Sequence, residues 1–261
     1  MTNANSEIIQ LNAHATVQGE RSTMTHDHEQ QFAIHPESSN LKFQPGETTT
    51  SVIDIGLNNA QTGFWTCSNS LCLVNFKVWQ YCHFLEGEAI ISNQHGKTWH
   101  INNQHGFIIP YGFKGVWHTT KKILNHYTAI TQDAEITKTI SPDEIIMLNP
   151  QASHAPSPSP TPTPPEKLIH GTLTSQAWDF FNCNNNPAID CGLWECDIGK
   201  RHSFFEGYTE VERIIKGQCV ITNQMGKSFT FTAGDIYVIP KDFKGTWETV
   251  SPLVKEYVVI T

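Results

Sequence analysis

One short stretch of the chain carries most of the side chains suited to acid-base chemistry. Residues 204–212 read Phe-Phe-Glu-Gly-Tyr-Thr-Glu-Val-Glu, with polar residues at every second position. In an extended strand, residues two apart point to the same side. Alternation therefore predicts one polar face, provided that no bulge intervenes at Gly207. The members of this face are Glu206, Tyr208, Glu210 and Glu212.

Three carboxylates on one enclosed face have restricted electrostatic options. Like charges in a low-dielectric cavity cannot all ionise without a compensating cation. Four alternatives follow: a bound metal, an Arg or Lys partner, a cationic ligand, or a carboxyl with a raised pKa. A raised pKa would also suit general acid-base catalysis. Alternatively, one or two of these glutamates lie in water at the open mouth of the fold.

Composition and motifs exclude several classes of protein. The formal net charge is −8 and only 16% of residues are charged, so a nucleic-acid partner is not predicted. The sequence has no nucleophile elbow, no phosphate-binding glycine loop and no HExxH motif. The sequence therefore does not favour covalent hydrolase chemistry or nucleotide binding.

Hydropathy and cysteine usage predict a cytoplasmic protein without a membrane partner. No apolar run reaches the roughly 18 to 20 residues of a membrane helix, and the first thirty residues lack a secretory signal pattern. The seven cysteines are an odd number without CxxC spacing, which favours reduced thiols over a disulfide framework.

The segments that must position the acids have a β texture. Apolar and polar residues alternate around residues 210–215, and further short apolar runs follow at close spacing. Gly217, Gly226, Gly234 and Pro240 separate these runs and are typical of turns. This pattern predicts an antiparallel sandwich or barrel, and the lack of crossover helices excludes a parallel α/β fold.

An internal repeat relates the two halves of the chain. Residues 87–131 and 217–261 share 16 identities in 45 positions at a shift of 130, where average residue frequencies would give about three. Upstream, the Gly-x-Trp-x-Cys block beginning at Gly63 matches that at Gly192 with a shift of 129. Duplication is the simplest explanation.

The repeat and the composition predict four regions. Residues 151–166 form a Pro/Ser/Thr-rich linker, which favours polyproline II and excludes regular backbone pairing. The capping-box pattern that begins at Ser141 predicts a short helix closing the first domain. The other regions are a polar, disordered tail at 1–40, a first domain at 41–150 and a second domain at 167–261.

The second repeat resembles the cupin superfamily. Glu210 lies seven residues before Gly217, and Gly234 is followed at the family spacing by Pro240. The blocks Gly192-Leu-Trp-Glu-Cys196 and Phe243-Lys-Gly-Thr-Trp-Glu248 are similar to the branch of ureidoglycine aminohydrolase and ethanolamine-utilisation cupins. The resemblance implies an all-β fold of two tandem cupin barrels, each an RmlC-like jelly roll or double-stranded β-helix, with few short helices. The first repeat is a degenerate copy.

The resemblance also bears on metals. It points Glu210 into the barrel, and it implies metal ligands at the positions of Phe204, Glu206 and Gly245 as well. Glu210 keeps the family's glutamate, but the histidines that the resemblance implies at the other three positions are missing, and a transition metal prefers imidazole nitrogen. No cofactor is therefore favoured. The alternative is a divalent metal, Mn, Zn or Fe, with Glu206 and Glu210 as the candidate ligands.

Two aromatic residues are predicted to lie in the lumen of the second barrel, and the first repeat is predicted to have a different lumen of its own. Trp247 and Tyr257 are expected to line the cavity of the second barrel, or else simply to fill it. The first repeat has an apolar set at the equivalent positions, which makes its barrel a structural partner. Its histidines are expected to be scattered on the surface. The apolar set is Phe76, Val78, Gln80 and Cys82.

The function predicted from these features is small-molecule binding in the lumen of the second barrel. Catalytic residues and the ligand are not assigned. One alternative is a metal-assisted aminohydrolase or isomerase of the ureidoglycine aminohydrolase type, and a second is a structural or assembly module. The expected state is a homodimer, or a monomer whose two barrels mimic a dimer.

Overall fold

The computed structural model describes residues 7–13, 48–130, 141–153, 155–183 and 189–261. Residues 13–148 form one compact unit. Residues 149–261 form the other, together with residues 7–12. The described elements are strands, so the all-β prediction is confirmed.

Eleven strands precede the proline-rich segment and nine follow from it onward. The first eleven are β1 (Ile9–Leu11), β2 (Thr48–Ile53), β3 (Ala60–Cys67), β4 (Ser70–Asn75), β5 (Trp79–Glu86), β6 (Ala89–Asn93), β7 (Thr98–Ile101), β8 (Phe107–Ile109), β9 (Lys114–Thr119), β10 (Ile123–Ile130) and β11 (Ile146–Met147). The others are β12 (Thr161–Pro162), β13 (Leu168–Gly171), β14 (Thr174–Cys183), β15 (Ile189–Cys196), β16 (Gly199–Phe204), β17 (Thr209–Asn223), β18 (Ser228–Thr232), β19 (Ile236–Ile239) and β20 (Lys244–Ile260).

The first unit has two antiparallel sheets around one core. The larger has the order β11-β8-β5-β10-β3-β2 and the smaller β4-β9-β6-β7. In the second unit, β17 and β20 are long enough to take part in both faces, so all its strands join one ten-stranded sheet. The strand that corresponds to β17 in the first unit is divided into β5 and β6 at Gly87, which has a φ of 84°.

Alternating apolar residues on these strands fill each barrel. In the second barrel, the rings of Phe231 and Tyr237 stack with centroids 3.8 Å apart. The buried core of this barrel includes Ile214, Cys219, Ile221, Phe231, Tyr237, Ile239, Phe243, Trp247 and Leu253. The first barrel is filled by Phe84, Ile91, Ile101, Phe107, Phe113, Trp117 and Tyr127, among others.

The repeated Gly-x-Trp-x-Cys block marks a close approach of two backbones. A Cβ added to Gly192 would lie 2.1 Å from the carbonyl oxygen of Trp178. The same atom on Gly63 would lie 2.0 Å from the carbonyl oxygen of Ser51. Neither distance is compatible with a side chain, which explains why glycine stands at this position in both repeats.

Three predictions about individual segments are wrong. Ser141 starts a single turn, in which Glu144 N donates to the Ser141 carbonyl at 3.2 Å, and β11 follows instead of a helix. The β-branched Ile146 adds to the edge of β8, so tertiary pairing overrides the capping signal. The prediction that the linker forms no regular backbone pairing is also wrong, because β12 lies in the linker and pairs with β14.

The third correction concerns the tail. Residues 9–11 form β1, which pairs with β19 of the second barrel. The rest of the predicted tail lies at 1–6 and 14–40, outside the described residues. None of the described residues belongs to a helix long and apolar enough to cross a membrane.

Candidate functional site

Two acids of the predicted polar face lie inside the second barrel. Glu210 and Glu212 lie on β17, between β19 and β20, so neighbours cover them from both edges. Glu210 is 7% exposed and Glu212 is 1% exposed. Alternation along β17 therefore places two carboxylates side by side in the lumen.

A lysine from β20 lies between these acids. Lys255 Nζ donates to Glu210 Oε1 at 2.8 Å and to Glu212 Oε1 at 2.6 Å. The second oxygen of Glu212 accepts a hydrogen bond from the Tyr237 hydroxyl at 2.5 Å. Of the four electrostatic alternatives, the structure therefore contains the basic partner, and Lys255 is 5% exposed.

Burial sets the protonation of this triad. Loss of hydration raises the pKa of Glu212 to about 8, and the nearby Glu210 acts in the same direction, while Lys255 opposes them. Burial lowers the pKa of Lys255, but attraction to Glu210 and Glu212 outweighs it, and the net shift is upward. Both upward shifts favour a cationic Lys255 and a protonated Glu212.

Two tryptophans enclose the ammonium group. Trp194 on β15 and Trp247 on β20 meet edge to face, with centroids 6.0 Å apart. Lys255 Nζ lies 5.1 Å from the centroid of Trp194 and 4.9 Å from that of Trp247. The aromatic faces thus stabilise the buried cation in addition to the carboxylates.

A second cation, Arg201, also lies near the ring of Trp194. Arg201 on β16 is opposite Trp247 in register, and its Cζ lies 5.4 Å from the centroid of Trp194. Its buried Nε atom has no hydrogen-bond partner, and no carboxylate lies within ion-pair distance among the described residues. We refer to the set of Glu210, Glu212, Lys255 and Arg201 as the charged cluster.

The two tyrosines that were predicted to line the lumen differ in their contacts with the charged cluster. Tyr208 is half-buried beside the charged cluster; burial raises its pKa to about 12, and Glu210 adds to this while Lys255 and Arg201 oppose it. Tyr257 is buried, and its hydroxyl donates to Asp179 Oδ1 at 2.5 Å rather than to the cluster.

An acid near Tyr257 was not predicted from the sequence. Burial raises the pKa of Asp190 to about 6, and repulsion from Asp179 and Glu210 adds to the shift. The backbone at Cys191 and the hydroxyl of Tyr257 moderate it. The charged cluster therefore extends electrostatically toward the edge of β14 and β15.

Glu206 is not part of the lumen. It is exposed, in the turn between β16 and β17, where Gly207 has a φ of 84° and its N–H donates to Asp242 Oδ1 at 3.0 Å. The strand β17 begins only at Thr209, so Glu206 and Gly207 precede it and the condition attached to Gly207 fails. The prediction that Glu206 shares a face with Glu210 is wrong.

The first barrel has a neutral set at the positions of the charged cluster. Gln80, Cys82 and Asn125 lie 130 residues before Glu210, Glu212 and Lys255, and Cys72 lies 129 before Arg201. Gln80 Nε2 donates to Cys82 Sγ at 3.2 Å, and burial raises the pKa of Cys82 to about 12. The predicted apolar lumen is therefore uncharged but contains two polar amides.

The first barrel keeps the tryptophan pair of the second barrel, but two of its histidines do not lie where they were predicted. Its tryptophan pair, Trp65 and Trp117, is retained, with centroids 5.6 Å apart. His83 and His126 are fully buried rather than on the surface. His126 lies 3.1 Å from Thr62 Oγ1, which indicates a core role.

The residues do not fit a divalent transition metal at the positions that the resemblance implies. Glu210 is bound by Lys255, Glu206 is exposed, and Phe204 and Gly245 supply no side-chain donor. Among the described residues, no group of three or more His, Cys, Asp or Glu side chains is arranged to hold a metal ion. Lys255 supplies the positive charge at this carboxylate pair.

The profile of the EutQ-like cupin domain matches the chain twice, over residues 56–127 and 186–257. The chain belongs to the EutQ-like cupin family. The two matches confirm the predicted tandem cupin and its relation to the ethanolamine-utilisation branch. No curated protein matches the chain.

Solved structures share the fold of this EutQ-like cupin at low sequence identity. A protein of unknown function in the DUF861 family, from Pseudomonas syringae pv. tomato str. DC3000, is 16% identical, with a TM-score of 0.67 over 97% of this chain and 99% of its own. Ylba from E. coli, also DUF861, is 11% identical, with a TM-score of 0.55 over 98% and 92%. A putative glyoxylate-induced protein from Pseudomonas aeruginosa is 14% identical, with a TM-score of 0.56 over 85% and 84%.

Proposed function

We propose that the second barrel binds a small polar metabolite at the charged cluster. The observation that carries the proposal is the contrast with the first barrel, which builds the same fold with neutral residues at these positions. A buried ion pair can often be replaced by neutral side chains without loss of stability. Stability alone therefore does not account for the charges, which supports a role in recognising a ligand.

The geometry favours a ligand with a carboxylate. The guanidinium of Arg201 is planar, lies on Trp194 and has no ion-pair partner among the described residues. Such a group binds a carboxylate through two parallel hydrogen bonds. Tyr208 and Glu210 lie nearby and would accept or donate a hydrogen bond to a hydroxyl or amino group on the same molecule. We therefore expect a small hydroxy or amino acid.

Thermal shift followed by calorimetry on a panel of small hydroxy and amino acids tests this proposal. Arg201→Cys introduces the residue found in the first barrel. We expect it to weaken a genuine ligand at least about tenfold, because a hydrogen bond to a charged group contributes about 1.5–3 kcal/mol. Gln80→Ala, at the counterpart of Glu210, is the matched control and should leave the affinity unchanged.

The same ligand should also lose affinity in Glu210→Ala. A compound that stabilises the protein equally in the wild type, Arg201→Cys and Glu210→Ala binds elsewhere. Such a result would remove the charged cluster from the proposed function, whatever the identity of the compound.

An isomerase-like enzyme is the second candidate, and the protonation of Glu212 favours it. A carboxyl with a pKa of about 8, hydrogen-bonded to Tyr237, can both give and take a proton near neutral pH. Any turnover that depends on it should follow this titration and vanish in Glu212→Gln, while Cys82→Ser in the first barrel should have no effect. A pH–rate profile unchanged by Glu212→Gln would contradict this role.

A metal-assisted aminohydrolase requires a metal that the charged cluster does not accommodate. We therefore propose that the site works without Mn, Zn or Fe. Elemental analysis of the untagged protein is the test. Stoichiometric metal that is lost in Glu210→Gln would overturn the proposal and restore the metal-assisted alternative.

A further inference from the structure

Two six-residue segments outside the barrels are copies of one sequence. Residues 7–12 read Glu-Ile-Ile-Gln-Leu-Asn, and residues 144–149 read Glu-Ile-Ile-Met-Leu-Asn. Five of six positions are identical, where average residue usage predicts fewer than about one. We call residues 7–12 the first strap and residues 144–149 the second strap.

The straps occupy equivalent edges of the two barrels. In the first strap, Ile9 pairs with Val238 of β19; in the second strap, Ile146 pairs with Ile108 of β8. Val238 and Ile108 are 130 residues apart, which is the shift of the duplication, whereas the straps are 137 apart. The two pairings therefore have the same register on duplicated strands.

An exposed ion pair links the first residue of each strap to its barrel. Lys227 Nζ lies 3.1 Å from Glu7 Oε1 in the second barrel. Lys97, its counterpart at a shift of 130, pairs with Glu144 in the first barrel. The charge complementarity is thus duplicated together with the backbone pairing.

Apolar anchors follow the ion pair in the same order. Ile8 is 6% exposed and packs in the core of the second barrel, while Ile145 is 5% exposed and packs in the core of the first. Leu11 and Leu148 are also buried. Each strap therefore combines edge pairing, an ion pair and two buried side chains, which is how strand-addition sites recognise a peptide.

Each strap pairs with the barrel that does not follow it directly in sequence. The first strap precedes the first barrel but pairs with β19 of the second. The second strap precedes the second barrel but pairs with β8 of the first. The edges of β8 and β19 thus each accept a strap across a long stretch of chain.

We infer that the edges of β8 and β19 are two copies of one peptide-binding site, specific for an extended Glu-Ile-Ile-x-Leu-Asn segment, and that the straps are interchangeable ligands. The inference does not depend on the proposed function. It also gives the edge of β19 a role near the lumen, because Gln10 pairs with Tyr237, whose hydroxyl holds Glu212.

Peptide binding to the full-length chain tests the inference. Ile8→Asp with Leu11→Asp should release the first strap and free the edge of β19. A fluorescent peptide of residues 6–13 should then bind saturably, and at least about tenfold more tightly than to the wild type, whose edge is occupied. A peptide of residues 143–149 should bind the same variant within about tenfold, and a scrambled peptide should not bind.

Charge reversal identifies the edge. Lys227→Glu in the released variant should weaken the peptide of residues 6–13, and Glu7→Lys in that peptide should restore binding. The matched control is Lys97→Glu, which changes the first barrel and should have no effect. Equal binding of the native and scrambled peptides, or no saturable binding to a variant that circular dichroism shows to be folded, would overturn the inference.

If the released variant does not fold, exchanging the one residue that differs between the straps tests the inference instead. Gln10→Met makes the first strap identical to the second, and Met147→Gln does the converse. Interchangeable straps predict a melting temperature within about 2 °C of the wild type for both single variants and for the double variant. A loss of cooperative folding in either single variant would contradict the shared specificity.

Discussion

The ammonium group of Lys255 lies between two buried acidic side chains and contacts both of them. Lys255→Asn leaves Glu210 and Glu212 without their shared cation, so we expect a loss of about 3–5 kcal/mol in the free energy of unfolding. Denaturant unfolding followed by tryptophan fluorescence measures this loss.

The first barrel supplies the control for this prediction. Adding Glu210→Gln and Glu212→Cys to Lys255→Asn reproduces the neutral set at Gln80, Cys82 and Asn125. The triple variant should recover most of the lost stability, because neither carboxylate remains to be left without its cation. A triple variant no more stable than the single one would show that the charges are required for folding.

Glu212 gives the second barrel a pH dependence of known sign. Its pKa is raised from 4.5 to about 8 in the folded protein, so the native state binds the proton more tightly than the unfolded chain. The associated stability is fully present below about pH 4.5 and is lost as the pH rises through about 8. Relative to Glu212→Gln, the wild-type melting temperature should fall by at least about 3 °C between pH 5 and 8.

Parallel melting curves for the two proteins over this range would contradict that assignment. The matched substitution Cys82→Ser in the first barrel should leave the pH dependence of the wild type intact. This comparison separates titration of Glu212 from a general effect of pH on the fold.

The sequence pattern predicted the two acids of the charged cluster but not its two basic residues. Alternation placed Glu210 and Glu212 together because a strand has a fixed period of two. Lys255 and Arg201 arrive from other strands, so only tertiary pairing brings them to the acids. The repeat contains a signal for them: each is charged in the second copy and neutral in the first, as Asn125 and Cys72.

At Gly192, the backbone of β15 lies close to that of β14. Gly192→Ala would place a Cβ 2.1 Å from the Trp178 carbonyl and 3.0 Å from the Tyr257 hydroxyl, so β14 and β15 would have to move apart. We expect a loss of about 1–3 kcal/mol, as for other overpacked sites. Thermal unfolding measures this, and Gly63→Ala should have a similar effect in the first barrel.

Gly226 is the contrasting control. An added Cβ there meets nothing within 4 Å, and only its positive φ of 81° opposes a side chain. Gly226→Ala should cost about 1 kcal/mol. If Gly192→Ala were the milder of the two, the close approach of β14 and β15 would not be the reason for the glycine.

Strands were easier to predict than their ends. Period-two patterns and glycine turns indicated the all-β fold, because these signals are local. The capping box at Ser141 indicated a helix, but pairing of Ile146 and Met147 with β8 is worth more than a local cap. Gly207 ended the regular alternation for the same kind of reason, since its turn is stabilised by Asp242 from a distant loop.

For the whole molecule, the two barrels should respond differently to a ligand. Binding at the charged cluster should slow amide hydrogen exchange in β16, β17 and β20, which carry its residues. The counterparts β4, β5 and β10 should be unchanged. Protection of equal size in the first barrel would place a binding site there and contradict the assignment to the second.

The sequence predicted the duplication but not the straps. The match of residues 87–131 with 217–261 is long enough to exceed chance by itself. A six-residue strap is too short for a periodicity argument, and its offset of 137 does not fall on the main repeat. Comparing the segments that precede each barrel would have found the shared Glu-Ile-Ile-x-Leu-Asn.

The pairing of β1 with β19 has a consequence for biosynthesis. A ribosome completes residues 7–12 well before the second barrel exists, with an interval of roughly 10 to 50 s at ordinary rates of translation. The first barrel, in contrast, receives its edge strand as soon as residue 149 has emerged. We expect the nascent chain to gain protease resistance in two steps, and the later step to require a segment that is made before the first barrel.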